Sequence, residues 1–171
     1  HVLILGAGGS GTALSWALSE RGDAPGRIIV TARREEALDE LRAVHTRRGT
    51  PTQLIEYVRV SSPEDSAALL ATLPDGSVVA NATGLGKDRP GSPLPDGARF
   101  PDDGYAWEFN YRGSLEFLHQ AEADAARHPL TVIDGWRYFI HGWSQVVADV
   151  FHIDLTPELV DELAEAAQAA R

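Results

Sequence analysis

With 171 residues, 43% hydrophobic and 23% charged, the chain is long and apolar enough to bury one core, which excludes a disordered chain. A net charge of −10 excludes a general nucleic-acid surface, although two or three basic side chains suffice to hold one phosphate. The absence of cysteine excludes disulfides, thiolate nucleophiles and thiolate metal sites.

The apolar run Val2–Leu5 predicts a fully buried strand, and Thr12–Arg21 a helix carrying Leu14, Trp16 and Leu18. Residues 23–26, Asp-Ala-Pro-Gly, form a turn before a second strand over Arg27–Thr31 and a helix over Glu35–Val44. The stretch 45–52 breaks the chain ahead of a third strand near 54–60. Ser62 then caps a helix with Pro63 in its first turn, running to about Leu73. A fourth strand over 77–83 leads into a long Gly/Pro-rich loop, of a length that is usually functional in compact domains. Residues 105–109 make a fifth strand, Ser114 caps a helix to about Ala126, and 130–134 make a sixth strand. Two helices close the chain, the second opened by Thr156-Pro157-Glu158. Strands alternating with helices at this spacing predict an α/β fold: a Rossmann-type doubly wound sheet of about six mainly parallel strands, with helices on both faces. Residues 1–171 are read as one dinucleotide-binding domain.

Gly6-Ala7-Gly8-Gly9-Ser10-Gly11 satisfies G-x-G-x-x-G between a strand and a helix. Gly6 permits the tight turn, Gly8 lets the backbone approach a pyrophosphate, and Gly11 lets helix and strand pack closely. The free amides of the helix N-terminus then favour a phosphate. The competing reading is a tight turn without a ligand. The end of the second strand selects the cofactor. An acid there binds the ribose hydroxyls of NAD, but this chain has Thr31 and Ala32 followed by Arg33 and Arg34. A guanidinium pair suits a 2′-phosphate, so NADP is preferred over NAD. The competing reading is a solvated pair answering Glu35 and Glu36.

The helix after Asp134-Gly135 carries Trp136, Phe139, Ile140, Trp143, Val146, Val147 and Val150 on one apolar stripe. Tyr138, His141, Gln145 and Asp149 fall on the other face. Two readings of that face stand side by side: a wall that hydrogen-bonds a substrate, or a solvated surface. Six scattered histidines show no metal-ligand spacing, so no metal is expected. No run approaches the length of a membrane span, and a cytoplasmic protein is expected.

Several stretches together resemble the cofactor-binding domain of shikimate dehydrogenases. The family's Gly-Ala-Gly-Gly loop matches Gly6–Gly9, and its Asn-Arg-Thr motif is represented by Thr31-Ala32-Arg33. Its Asn-Ala-Thr-Ser-Leu-Gly segment is close to Asn81-Ala82-Thr83-Gly84-Leu85-Gly86. Its Tyr-Asn-Pro-x-x-Thr segment matches Phe109-Asn110-Tyr111-Arg112-Gly113-Ser114 in part, and its closing Asp-Gly and glutamine-bearing helix match Asp134-Gly135 and Gln145. The resemblance implies the nucleotide-binding part of an oxidoreductase that reduces 3-dehydroshikimate, or a close analogue, with NADPH. A quinate or aminoshikimate dehydrogenase, and a non-catalytic module sensing the NADP pool, are the alternatives. Asn81–Leu85 would lie along the cofactor, and Phe109, Tyr138, His141 and Gln145 would face the substrate.

The catalytic Lys–Asp pair of the family lies in an N-terminal substrate domain. This chain has no methionine and enters a strand at its second residue, so that domain is expected to be missing and the chain alone inactive. The expected partners are a hydroxy- or keto-cyclohexene carboxylate, the absent domain and a second copy of the chain. Departures from the family pattern are Ala32, Phe109 in place of tyrosine, Lys87 after the Leu-Gly, and a glutamine displaced three residues from the counted position, Gly142. Ala32 shifts phosphate binding to Arg33 or Arg34, and the other three suggest an altered substrate.

Overall fold

The computed structural model describes residues 1–169. Six strands, β1 (Val2–Leu5), β2 (Ile28–Ala32), β3 (Ile55–Arg59), β4 (Val78–Asn81), β5 (Gly104–Glu108) and β6 (Leu130–Ile133), form one sheet in the order β3-β2-β1-β4-β5-β6. Every pairing is parallel. That is the Rossmann order, in which the chain reverses direction across the sheet between β1 and β4 and opens a crevice at their carboxyl ends.

Alternation along β1 divides the core into two layers. Leu3 and Leu5 pack with Val79, Leu70, Phe117 and Ala121, on the side of α3 (Pro63–Leu70) and α4 (Glu116–Ala125). Val2 and Ile4 pack with Ile28, Val30, Leu41, Leu14 and Leu18, on the side of α1 (Gly9–Ser19) and α2 (Glu35–Arg48). Helices therefore cover both faces. The chain closes with α5 (Trp136–Phe151) and α6 (Pro157–Ala169), which pack on each other through Ile140, Val160 and Ala164.

Local boundaries differ from the sequence reading in instructive ways. Helix α1 starts at Gly9, three residues before Thr12, and its buried line is Gly11, Ser15 and Ser19 rather than its large residues. Small side chains at i, i+4 spacing let the helix approach the sheet closely. Helix α2 continues through His45–Arg48 and ends where Gly49 takes the left-handed conformation, its N–H closing on His45 and Thr46 carbonyls. Ser62 caps α3 in a full capping box with Asp65. Ser114 does not cap α4: Leu115 holds that position at φ 50°, with its N–H donated to the Gly86 carbonyl.

Candidate functional site

The carboxyl ends of β1 and β4 stand side by side, and the loops leaving them wall two clefts. Ala82 and Thr83 line both. Gly6 leaves β1 at φ 111°, and a Cβ there would lie 2.7 Å from the Ala82 carbonyl oxygen. A Cβ on Gly11 would lie 2.0 Å from the Gly6 carbonyl. Glycine is therefore required at both positions for the loop to turn and for α1 to seat. Gly8 and Gly9 are different: nothing lies within 4 Å of a Cβ at either, so their exposed side is open. Helix α1 begins there with no side-chain cap and no acid in its first turn, leaving its first amides available to an anion.

The larger cleft, about 830 Å³, runs from Gly6–Gly8 past Thr31–Arg34 to Ser61–Pro63, with Leu85 and Arg89–Pro93 on the facing side. Arg33 and Arg34 are exposed on it, and neither forms an ion pair among the described residues. Glu35, the acid that a solvated pair would answer, stands 3.7 Å from Arg42 instead. Arg89 is a third arginine on the cleft, and Glu40 is the lining acid. Ser61 and Arg89 carried no expectation, and Ser62 was expected only as a helix cap, not on a binding cleft. Ser61 and Ser62 lie just beyond β3, at the carboxyl edge where parallel sheets bind ligands, and could have been found by that rule.

The second cleft, about 500 Å³, has an aromatic wall. Phe109 stacks on Tyr138 (4.2 Å between centroids, 26° between planes), and Tyr111 stacks on Phe139 (3.8 Å, 21°). The Tyr138 hydroxyl donates to Ser10 Oγ at 3.0 Å, tying α5 to the glycine loop. Lys87 is the cation on this cleft, 3.4 Å from Asp88 and 5.9 Å from the centre of the Tyr111 ring. Of the four residues expected to face a substrate, Phe109 and Tyr138 line the cleft; His141 and Gln145 do not. Gln145 is exposed, and its amide donates to Asp149 at 2.8 Å. The α5 positions that look into the cleft are Tyr138, Phe139, Gly142, Trp143 and Val146. Five of the seven stripe residues (Phe139, Trp143, Val146, Val147 and Val150) are thus cleft wall or solvent-facing surface rather than core. Gly142, the counted position of the family glutamine, has open space where a side chain would project.

Beneath the two clefts lies a polar network. Asn81 and Glu108 are register partners on β4 and β5, and both are fully buried. Asn81 Nδ2 donates to Glu108 Oε1 and Oε2 at 3.1 and 2.9 Å, and the Asn110 N–H donates to Oε1 at 2.8 Å. On its other side, Asn81 Oδ1 accepts the Thr83 N–H (3.1 Å) and hydroxyl (2.7 Å), and Thr83 Oγ1 accepts the Leu85 N–H at 3.1 Å. Asn110 Nδ2 donates to the Leu85 carbonyl at 2.8 Å. Burial pushes the Glu108 carboxyl up to about 7, against the pull of these donors. Glu108 carried no sequence signal, being one acid at the end of an ordinary strand. Among the described residues no cluster of His, Asp and Glu is arranged to hold a metal ion, and no helix is long and apolar enough to cross a membrane.

No family model and no curated protein matches the chain. Solved structures do match. Shikimate 5-dehydrogenase from Thermus thermophilus, in complex with shikimate, is 25% identical with a TM-score of 0.60, over 98% of this chain and 54% of that one. The chorismate mutase/shikimate 5-dehydrogenase fusion from Clostridium acetobutylicum is 19% identical with a TM-score of 0.64, over 99% and 54%. The enzyme from Listeria monocytogenes, in complex with shikimate and NAD, is 16% identical with a TM-score of 0.66, over 97% and 55%. The chain spans about half the length of the solved structures it matches, and it shares the fold of that half.

Proposed function

We propose that this chain is the nucleotide-binding part of an NADP-dependent, shikimate dehydrogenase-like oxidoreductase, acting on 3-dehydroshikimate or a close cyclohexene carboxylate analogue. The observation that carries the reading is the larger cleft. An uncapped helix N-terminus with two unobstructed glycines opens on one end of it, and two arginines without ion-pair partners among the described residues stand at the end of β2. Those features fit a dinucleotide with an extra phosphate. The amides of Gly8–Ser10 would receive the diphosphate, and Arg33 and Arg34 the 2′-phosphate. When bound, the nicotinamide cofactor supplies the hydride that reduces a carbonyl.

The chain's own part is to bind and orient. Thr83 and its neighbours form the wall between the clefts, held from below by Asn81. The aromatic pairs of the second cleft exclude water from the place where nicotinamide and substrate would meet. Lys87 is the only lysine in the sequence, and it stands on the loop after β4 beside Asp88. The proton donor and most substrate contacts belong, in this reading, to a further domain preceding the chain, and this chain alone binds cofactor without turning over substrate. Similarity to structures that hold shikimate supports the substrate class, and the Phe109 and Gly142 positions support a modified substrate.

The test is calorimetric titration of the chain with NADP and NAD, repeated on Arg33→Ala and Arg34→Ala. NADP is expected to bind at least tenfold tighter than NAD, with the preference collapsing in one of the variants. Equal affinity for both nucleotides in wild type and variants would remove the 2′-phosphate site. Failure to bind either would leave the glycine loop a structural turn.

A further inference from the structure

We propose that Glu108 is a positioning residue for the nucleotide site: its carboxyl oxygens accept from the Asn81 amide and fix its orientation, and through it the Thr83–Leu85 wall shared by the two clefts. The inference rests on the proposed function for its link to NADP, but the positioning of the wall stands on the hydrogen bonds alone.

A primary amide has one face that accepts and one that donates, and the two differ by a half-turn about its last torsion. Thr83 needs the accepting face, because both its N–H and its hydroxyl point at Asn81 Oδ1. The donating face must then meet an acceptor. Glu108 supplies two carboxylate oxygens there and has no ion-pair partner among the described residues that would compete for them. The arrangement follows from alternation: Asn81 and Glu108 sit directly across β4 and β5 and point to the same side of the sheet as Val79 and Ala106. The same carboxylate accepts the Asn110 N–H, and Asn110 in turn holds the Leu85 carbonyl, so both ends of the wall lead back to one group. A fully buried carboxylate without a cation is costly to the fold. Its orienting role gives that cost a functional counterpart.

The polarity argument makes a swap test. Glu108→Gln places an NH₂ against the Asn81 NH₂; one of the two must turn, and either Thr83 or Asn110 loses its acceptor. Asn81→Asp places two carboxylates together. In the double variant Asn81→Asp/Glu108→Gln the polarity is reversed: the new amide at 108 donates to one oxygen of the new carboxylate at 81, the other oxygen accepts from Thr83, and the amide oxygen at 108 accepts the Asn110 N–H. Two readouts are taken: the Kd for NADP, and amide hydrogen exchange at Thr83 and Leu85 relative to the β1 amides. In each single variant the expected result is an NADP Kd raised tenfold or more, with faster exchange at Thr83 and Leu85 while β1 stays protected. The double variant is expected to return both readouts to within a few-fold of wild type.

Wild-type exchange and Kd in E108Q, or a folded double variant that recovers neither, would overturn the proposal. A uniform rise in exchange across β1 and the wall, with an unchanged Kd, would show Glu108 to be a general stabilising group and would equally overturn it. If wild type binds no nucleotide, the functional reading fails, and the exchange data alone decide the role of Glu108. If E108Q does not fold, the double variant decides: a folded chain with Thr83 and Leu85 protected supports the proposal, and an unfolded one overturns it.

Discussion

Two buried titratable side chains pull the stability of this protein in opposite directions with pH. The Glu108 carboxyl is raised from 4.5 to about 7 by burial, so the folded chain holds its proton where the unfolded chain has released it. Its stabilising contribution is fully present below about pH 4.5 and is lost as pH rises through about 7. His45 is wholly buried between Ser15 and Tyr57, with Nε2 3.1 Å from Ser15 Oγ and Nδ1 2.7 Å from the Tyr57 hydroxyl. Burial lowers its pKa from 6.5, so its contribution is present above that value and is lost as pH falls. The Glu108 part is isolated by comparing urea melts of wild type and E108Q across pH 4.5–8. Wild type is expected to gain on the variant by roughly 3 kcal/mol on going from pH 8 to pH 4.5. A difference independent of pH would mean that Glu108 titrates normally.

Among the elements, the glycine loop and α1 separate glycines that the fold requires, Gly6 and Gly11, from glycines with open space beside them, Gly8 and Gly9. Gly11→Ala forces a Cβ onto the Gly6 carbonyl and is expected to cost about 2–4 kcal/mol in thermal or chemical unfolding. Gly9→Ala meets nothing and adds a better helix former at the first turn of α1, so stability is expected to hold within about 1 kcal/mol. The same methyl narrows the open side of the loop, and the proposed function requires weaker NADP binding in Gly9→Ala. Equal nucleotide affinity for Gly9→Ala and wild type would place the diphosphate elsewhere. At α5, the apolar stripe is divided between contacts to α6, the wall of the second cleft and open surface. A helix-period pattern identifies a stripe but not the number of partners it has.

At the scale of the whole molecule, the surface is uneven. Trp143, Val146, Val147, Val150, Phe151 and Ile153 leave a run of exposed apolar side chains along the second half of α5 and just past it, on a chain whose net charge is −10. Val150 and Phe151 are 65% and 69% exposed, so they contribute little to this fold. Replacing Val147, Val150 and Phe151 together by serine is expected to change unfolding free energy by less than about 1.5 kcal/mol. Any concentration-dependent association seen by sedimentation is expected to fall. A loss of several kcal/mol would instead show that this end of α5 is packed in solution.

Much of the architecture was legible because periodicity and punctuation are local. Continuous apolar runs mark strands buried on both faces. Gly6 and Gly11 mark a tight turn and close packing only glycine allows, and Ser62-Pro63 marks a helix start. Strand order and parallel pairing followed from the βα alternation. The remainder depends on groups distant in sequence. Gln145 and Gly142 differ by less than one helical turn, and only the way α5 packs on α6 and over the glycine loop decides that Gly142 faces the cleft while Gln145 faces water. Glu108 and Asn81 are 27 residues apart, and their pairing exists only once β4 and β5 are in register. Sequence by itself determined which segments bury and where the chain turns, because each of those depends on near neighbours. The site's walls and their polarity were decided by tertiary structure, because a hydrogen bond across a sheet depends on register, side and depth, none of which a single segment carries.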